Sequence, residues 1–150
     1  MCSTIFLFNT LKAANVTWLS AVNGNWSDGT KWSGGVAPGV NDTAVITVSG
    51  TYTVTVNTPV SLAKLVVGGA SGTQKLYSTS SPIDFANTSQ ISGGGTIEIY
   101  STTLGHAGVT LVNNGKIQLY YNNTLPLIIN NNDTIRVSHS GNYITGTLNN

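Results

Sequence analysis

Gly93-Gly94-Gly95-Thr96-Ile97-Glu98-Ile99 is followed by Asn113-Asn114-Gly115-Lys116-Ile117-Gln118-Leu119 and then by Asn131-Asn132-Asp133-Thr134-Ile135-Arg136-Val137. Each stretch is one phrase, a turn of small or amide residues and then an alternating strand. The step from Ile97 to Ile117 is 117 − 97 = 20, and the step from Ile117 to Ile135 is 135 − 117 = 18. A repeat near this length marks a solenoid, in which each coil buries its apolar face only by stacking on the next. In parallel stacking Ile97, Ile117 and Ile135 would sit above one another, as would Asn114 and Asn132. The expected fold is therefore all-β, a parallel β-helix with coils of about 18–21 residues.

Upstream the same period-two pattern runs through Ala44–Val48 and through Tyr52–Val56, where Tyr52, Val54 and Val56 face one way and Thr53 and Thr55 the other. Leu62–Val67 reads as a further strand, stopped by Gly68-Gly69. Residues 71–90 are polar and less periodic, with Leu76 and Ile83 as inward candidates. Strands resume at Thr96–Tyr100, Val109–Val112, Lys116–Tyr120, Leu125–Ile129 and Thr134–Val137. No stretch repeats apolar residues at the three-and-four spacing of an amphipathic helix.

Residues 16–41 form a different segment, with all three tryptophans (Trp18, Trp26 and Trp32) and the turn pairs Asn23-Gly24, Asp28-Gly29, Gly34-Gly35 and Pro38-Gly39. Such pairs favour tight turns. The tryptophans have two readings, platforms for sugar rings or large apolar cover for the open end of the first coil. The cover reading is the stronger. The chain thus divides into residues 1–15, an apolar strand or signal-peptide remnant, a Trp-rich cap over 16–41, and solenoid coils over 42–150. Thr145–Asn150 reads as another phrase cut in mid-coil, with no capping helix, so its edge would be covered by further chain or by another copy.

Only 7% of the 150 residues are charged and 40% are hydrophobic, against roughly 25% charged in an average protein. The polar surface must come from Thr, Ser, Asn and Gly. A net charge of +1 and the lack of any Lys/Arg run offer nothing to a nucleic acid, and little repulsion between copies. No run approaches the roughly 20 apolar residues of a membrane span. The single cysteine, Cys2, excludes an internal disulfide framework and a cysteine metal cluster. Six sequons, at Asn15, Asn25, Asn41, Asn87, Asn122 and Asn132, would carry glycans on surface loops in a secreted eukaryotic protein.

Trp18, Gly24-Asn25-Trp26-Ser27-Asp28, Lys31-Trp32-Ser33-Gly34-Gly35-Val36-Ala37-Pro38 and Asn41-Asp42-Thr43-Ala44-Val45-Ile46 resemble the opening of secreted β-solenoid surface proteins of autotransporter-like and adhesin-like kind. The resemblance covers roughly residues 16–70. It implies a right-handed parallel β-helix with an N-terminal cap, exported to a cell surface or matrix, and no particular activity. This chain is shorter than the large members and lacks an outer-membrane barrel segment.

Polysaccharide-cleaving β-helices need clustered carboxylates. The chain has five, Asp28, Asp42, Asp84, Glu98 and Asp133, and no two are one coil apart. His106 and His139 show no accompanying acid at a telling distance and read as solvated turn residues. Gly93-Gly94-Gly95 lacks the Lys of a phosphate loop and reads as a corner needing positive φ. No catalytic residue, metal ligand or cofactor site is therefore expected. The functional expectation is a non-enzymatic extracellular structural protein, part of a fibre, filament or adhesin stalk. It would associate head to tail with other copies through Ile5, Phe6, Leu7 and Phe8, within the segment Ser3–Leu11, and through the last coil at Leu148. The alternative is a carbohydrate-binding module that meets surface glycans through Tyr120 and Tyr121. An ice- or crystal-binding Thr face, suggested by Thr53 and Thr55, is not sustained in later coils.

Overall fold

The computed structural model describes residues 13–150. Cys2, the run Ile5–Phe8 and most of the expected N-terminal strand lie outside the described residues. The described residues wind into a three-sided parallel β-helix of seventeen strands, numbered in chain order. One face stacks β1 (Asn15–Thr17), β3 (Thr43–Ile46), β6 (Lys64–Val67), β9 (Ser89–Ile91), β11 (Thr110–Asn113), β14 (Ile128–Asn131) and β17 (Leu148–Asn149) in that order. The second stacks β2 (Gly24–Asn25), β4 (Tyr52–Val56), β7 (Gln74–Thr79), β10 (Gly95–Tyr100), β12 (Lys116–Leu119) and β15 (Thr134–Val137). The third pairs β5 (Val60–Leu62) with β8 (Ile83–Phe85), and β13 (Thr124–Leu125) with β16 (Tyr143–Ile144). Isolated bridges, Ile83 to Leu104 and Thr103 to Thr124, join those two pairs into one column.

The register realises the expected ranks. Val54, Leu76, Ile97, Ile117 and Ile135 lie directly over one another on the second face. Their spacing falls steadily, from 76 − 54 = 22 at the first step to 135 − 117 = 18 at the last. The step that spans the cap is longer, with Gly24 paired to Val54 (54 − 24 = 30), while on the first face the steps include 64 − 43 = 21, 91 − 67 = 24 and 128 − 110 = 18. Steps beyond the cap fall at or near the expected range of about 18–21, from 64 − 43 = 21 at β3–β6 to 148 − 129 = 19 at β14–β17, with steps of 22–24 at β4–β7, β5–β8, β6–β9 and β9–β11. Inward residues alternate with outward ones, as in Tyr52, Val54 and Val56 against half-exposed Thr53 and Thr55. That outward Thr pair gives way to Lys75 and Tyr77 on the next coil. The core is one continuous column from Val16 to Ile129.

Several expected elements take a different form. Leu62–Val67 is two strands with a bend at Ala63, where the chain turns from the third face to the first. Residues 71–90 hold three strands rather than a loose stretch. Their alternation is masked by buried polar side chains that satisfy the backbone at coil corners. Gln74 is fully buried, its Nε2 donating to Gly50 O (2.6 Å) and Ser71 O (2.9 Å) and its Oε1 accepting from Gly69 N (2.6 Å). Ser89 sits in the apolar column because its Oγ accepts from Leu65 N (2.9 Å) and donates to Asn87 O (3.1 Å).

The glycine run also works differently from expectation. None of Gly93, Gly94 and Gly95 has positive φ. A Cβ on Gly95 would lie 2.5 Å from Val67 O and 2.7 Å from Ile91 Cγ2, so this position needs glycine for close approach of neighbouring coils. At this corner positive φ belongs to Gly50 (φ 133) and Gly72 (φ 78) of the earlier coils, and another left-handed corner lies after the second face. Ser80 (φ 63), Ser101 (φ 48), Asn122 (φ 53) and Gly141 (φ 79) occupy it in four coils. There each N–H of the first two reaches a carbonyl of the next coil, Ser80 N to Tyr100 O (2.9 Å) and Ser101 N to Tyr121 O (2.7 Å).

At the N-terminal end Trp18, Trp26 and Trp32 are buried in edge-on contact, with centroids 5.0 Å apart for Trp18–Trp32 and 4.8 Å for Trp26–Trp32. The indole N–H groups of Trp18 and Trp32 are satisfied within the cap, by Val22 O (3.2 Å) and Trp26 O (2.8 Å). Such burial fits cover for the first coil and leaves no face of these rings for a sugar.

Candidate functional site

The outer face of β7, β10 and β12 carries the densest chemistry on the flank. Register places Tyr77 beside Glu98 and Glu98 beside Gln118, with Lys75 beside Thr96. Lys75 Nζ meets Glu98 Oε2 at 2.7 Å, and the Tyr100 hydroxyl lies 3.4 Å from Glu98 Oε1. Tyr77 meets Tyr100 edge-on at 5.7 Å, and Tyr100 stacks flat on Tyr120 at 4.3 Å. Burial, then the Glu98 charge, then the neighbouring tyrosines push the Tyr100 phenol up to about 12. The row runs on to His139, which lies 6.0 Å from Tyr120 and stacks on Tyr121 at 4.0 Å. Tyr120 therefore has ring neighbours on both sides, and Tyr121 has one face on His139. Tyr77, Tyr100 and Tyr120 are half-buried in this row, and Lys116 and Arg136 beside it are exposed.

On the third face the structure brings together a pair that the sequence reading kept apart. His106 Nδ1 lies 2.6 Å from Asp84 Oδ1, both half-exposed, which overturns the expectation that neither histidine has an acid partner. Asp84 Oδ1 also accepts from Phe85 N at 2.9 Å, which fixes the carboxylate. Their separation is 106 − 84 = 22, one residue more than the coil step of 104 − 83 = 21 at this height. Lys75 reaches Glu98 on a diagonal, two residues beyond its register partner Thr96. Among the described residues no three His, Cys, Asp or Glu gather as a metal site would require. No helix among them is long and apolar enough to cross a membrane. All six sequon asparagines are exposed, although Asn132 Nδ2 is bonded to Asn114 Oδ1 (2.9 Å) and Asn87 Nδ2 to Ala63 O (3.1 Å).

The two ends of the rod differ. At the cap, Lys31–Ser33 runs antiparallel to Thr17–Leu19, at the end of β1. Leu19 N donates to Lys31 O (2.8 Å), Ser33 N to Thr17 O (2.8 Å) and Thr17 N to Ser33 Oγ (2.8 Å). At the other end β15 and β17 are the last strands of their sheets, and β16 ends the third column. Among the described residues the exposed large hydrophobics are Leu19, Val22, Val36 and Val40 in the cap, and Tyr121, Val137, Tyr143 and Leu148 in the last coils. None lies between Asn41 and Tyr120. Leu148, singled out in the sequence as a contact residue, belongs to this second group. No protein-family model, no curated protein and no solved structure matches the chain, and any functional reading rests on this geometry.

Proposed function

We propose that the protein is a non-enzymatic structural subunit that works outside the cell, a β-solenoid rod that associates end to end with other copies in a fibre, filament or stalk. The observation that carries this reading is the segregation of exposed large hydrophobics to the cap and the last coils, with none between Asn41 and Tyr120. A flank with little charge neither repels nor recruits its neighbours, while apolar ends gain by being covered. The scarcity of carboxylates supports a non-catalytic role, since Asp84 and Glu98 are already engaged by His106 and Lys75. The six exposed sequon asparagines suit an extracellular place. Negative-stain electron microscopy across a concentration series tests the reading. Rods joined at their ends and lengthening with concentration are expected, whereas isolated short rods at every concentration would overturn it.

A carbohydrate-binding module is the second reading, favoured by the row of Tyr77, Tyr100 and Tyr120 beside the Lys75–Glu98 pair. It requires glycan binding that Tyr120→Ala or Tyr121→Ala abolishes while the rod stays folded. Equal binding by these variants and the parent chain would remove it.

A further inference from the structure

We propose that Tyr100 and Tyr120 form a modification site, at which a peroxide-driven one-electron oxidant joins the two phenols into dityrosine and staples neighbouring coils together. The parallel register builds the site. Ile99 lies beside Leu119, so the residues that follow, Tyr100 and Tyr120, leave adjacent coils side by side on the outward face. Backbone bonds hold the chain on either side of the pair, Tyr120 N donating to Ile99 O (3.0 Å) and Ser101 N to Tyr121 O (2.7 Å). The ring centroids lie 4.3 Å apart with planes 3° from parallel, which puts the two π faces in contact. The other four tyrosines are placed differently. Tyr77 meets Tyr100 edge-on at 67°, Tyr121 stacks on His139, Tyr52 is buried and Tyr143 is exposed.

Each phenol gives up one electron and its hydroxyl proton, leaving two phenoxyl radicals whose unpaired spin is shared with the ring carbons ortho to oxygen. One Cε of Tyr100 and one Cε of Tyr120 then join in a new carbon–carbon bond. The hydrogen on each of these carbons leaves as a proton while each phenol oxygen regains one, so the net loss is one ring hydrogen from each tyrosine. Hydrogen peroxide takes up the two electrons and two protons and becomes two molecules of water. Radicals held face to face meet without diffusing, which favours this pair over phenols on separate molecules. Glu98 supplies the acceptor for the first proton. Its Oε1 lies 3.4 Å from the Tyr100 hydroxyl, while its Oε2 is held by Lys75 Nζ at 2.7 Å. The single cysteine leaves the chain no internal disulfide with which to join its coils. A Tyr100–Tyr120 bond would instead close a loop of 120 − 100 = 20 residues and fix one interface in a fold whose cohesion passes between nearest neighbours. The bond lies within one chain, so it forms whether or not copies join end to end, and the two readings fail separately.

The test treats the whole chain, with Cys2→Ser to remove the competing thiol, with hydrogen peroxide and a haem peroxidase at low protein concentration. After denaturation, trypsin cuts behind Lys75, Lys116 and Arg136, which places Tyr100 in the peptide 76–116 and Tyr120 in the peptide 117–136. Dityrosine fluorescence is expected in a product the size of one chain, with these two peptides joined at a mass two hydrogens below their sum. Tyr100→Phe and Tyr120→Phe, which keep the rings, are each expected to lose this product. Tyr77→Phe and Tyr121→Phe, which remove the other tyrosines of the same peptides, are expected to keep it. Glu98→Gln is expected to slow the coupling, and an unchanged rate would remove Glu98 from the step. The coupled chain is expected to unfold at a higher urea concentration than the untreated one; an equal midpoint would overturn the staple. A product that survives Tyr120→Phe, or one that only joins separate chains, would overturn the site. So would a folded chain without dityrosine under conditions that couple free tyrosine.

Discussion

Thr102 occupies the place on its coil that Asn123 and Asn142 occupy on the next two. Asn123 is fully buried, and its amide reaches Ile99 O (3.1 Å), Tyr120 O (2.5 Å) and Asn142 Oδ1 (2.8 Å), while its Oδ1 accepts from Thr102 N (3.1 Å). One side chain thus ties three coils together at a corner. The buried Thr102 hydroxyl, by contrast, has no partner among the described residues. Thr102→Val should therefore stabilise the fold by about 1 kcal/mol, since it removes an unsatisfied hydroxyl at nearly constant volume. Asn123→Leu should cost about 3 kcal/mol by orphaning several backbone groups. Urea unfolding of the two variants should shift the midpoint in opposite directions; a common direction would mean that Thr102 finds a partner in solution. The glycine run gives a second contrast. Gly95→Ala should cost about 2 kcal/mol or more because its Cβ meets Val67 O at 2.5 Å. Gly93→Ala should stay within about 0.5 kcal/mol, as its Cβ would meet nothing nearer than Asn114 O at 3.9 Å. Equal losses at both positions would point back to a conformational need for glycine.

At the scale of strands, the tyrosines on β7 and β10 and at the end of β12 link neighbouring coils through side chains as well as through backbone. Burial pushes the Tyr52 phenol up to about 12, and burial followed by the Glu98 charge does the same for Tyr100. Both folded values lie above the unfolded value of about 10. The neutral phenols thus contribute stability that is fully present below pH of about 10 and is lost as pH rises through about 12. Alkaline titration of the six tyrosines should show two ionising late, and Glu98→Gln should bring one of them earlier. Six phenols ionising together in the folded protein would contradict this placement. The same strands explain what the sequence displayed and what it hid. Ile97, Ile117 and Ile135 were legible because one residue type recurs at one place in strands of clean alternation. The strands over 74–91 were not, because Gln74, Ser78 and Ser89 are inward yet polar, so hydrophobic alternation breaks just where the corners need hydrogen bonds. The third-face strands are too short to show any period. The pairs Asp84–His106 and Lys75–Glu98 each join neighbouring coils on a diagonal. The coil step at both places is 21 (96 − 75 and 104 − 83), so offsets of 23 and 22 are invisible to a search at whole-coil spacing.

For the whole molecule the parallel register has a consequence that no single contact shows. Each described strand inside the stack pairs with the coil below and the coil above, so cohesion is carried between nearest neighbours. A complete coil should then be removable. Thr96 pairs with Lys116 and Ile97 with Ile117, so deleting residues 97–116 joins Thr96 to Ile117 without changing which side chains face inward. The shortened second-face strand would lie on β7 with Ile117 over Leu76 in place of Ile97. On the first face β14 would follow β9, with Ile129 over Ser89 in place of Leu111. Deleting only residues 97–106 removes half a coil, sends the chain from the second face directly toward the first, and leaves the third column without Leu104. The full-coil deletion should keep a β-rich far-ultraviolet spectrum and cooperative unfolding, with a urea m-value lower by roughly an eighth, in proportion to the surface removed. The half-coil deletion should lose cooperative unfolding. If both deletions unfold alike, the rod is held by contacts longer in range than one coil, and its coils are not interchangeable units.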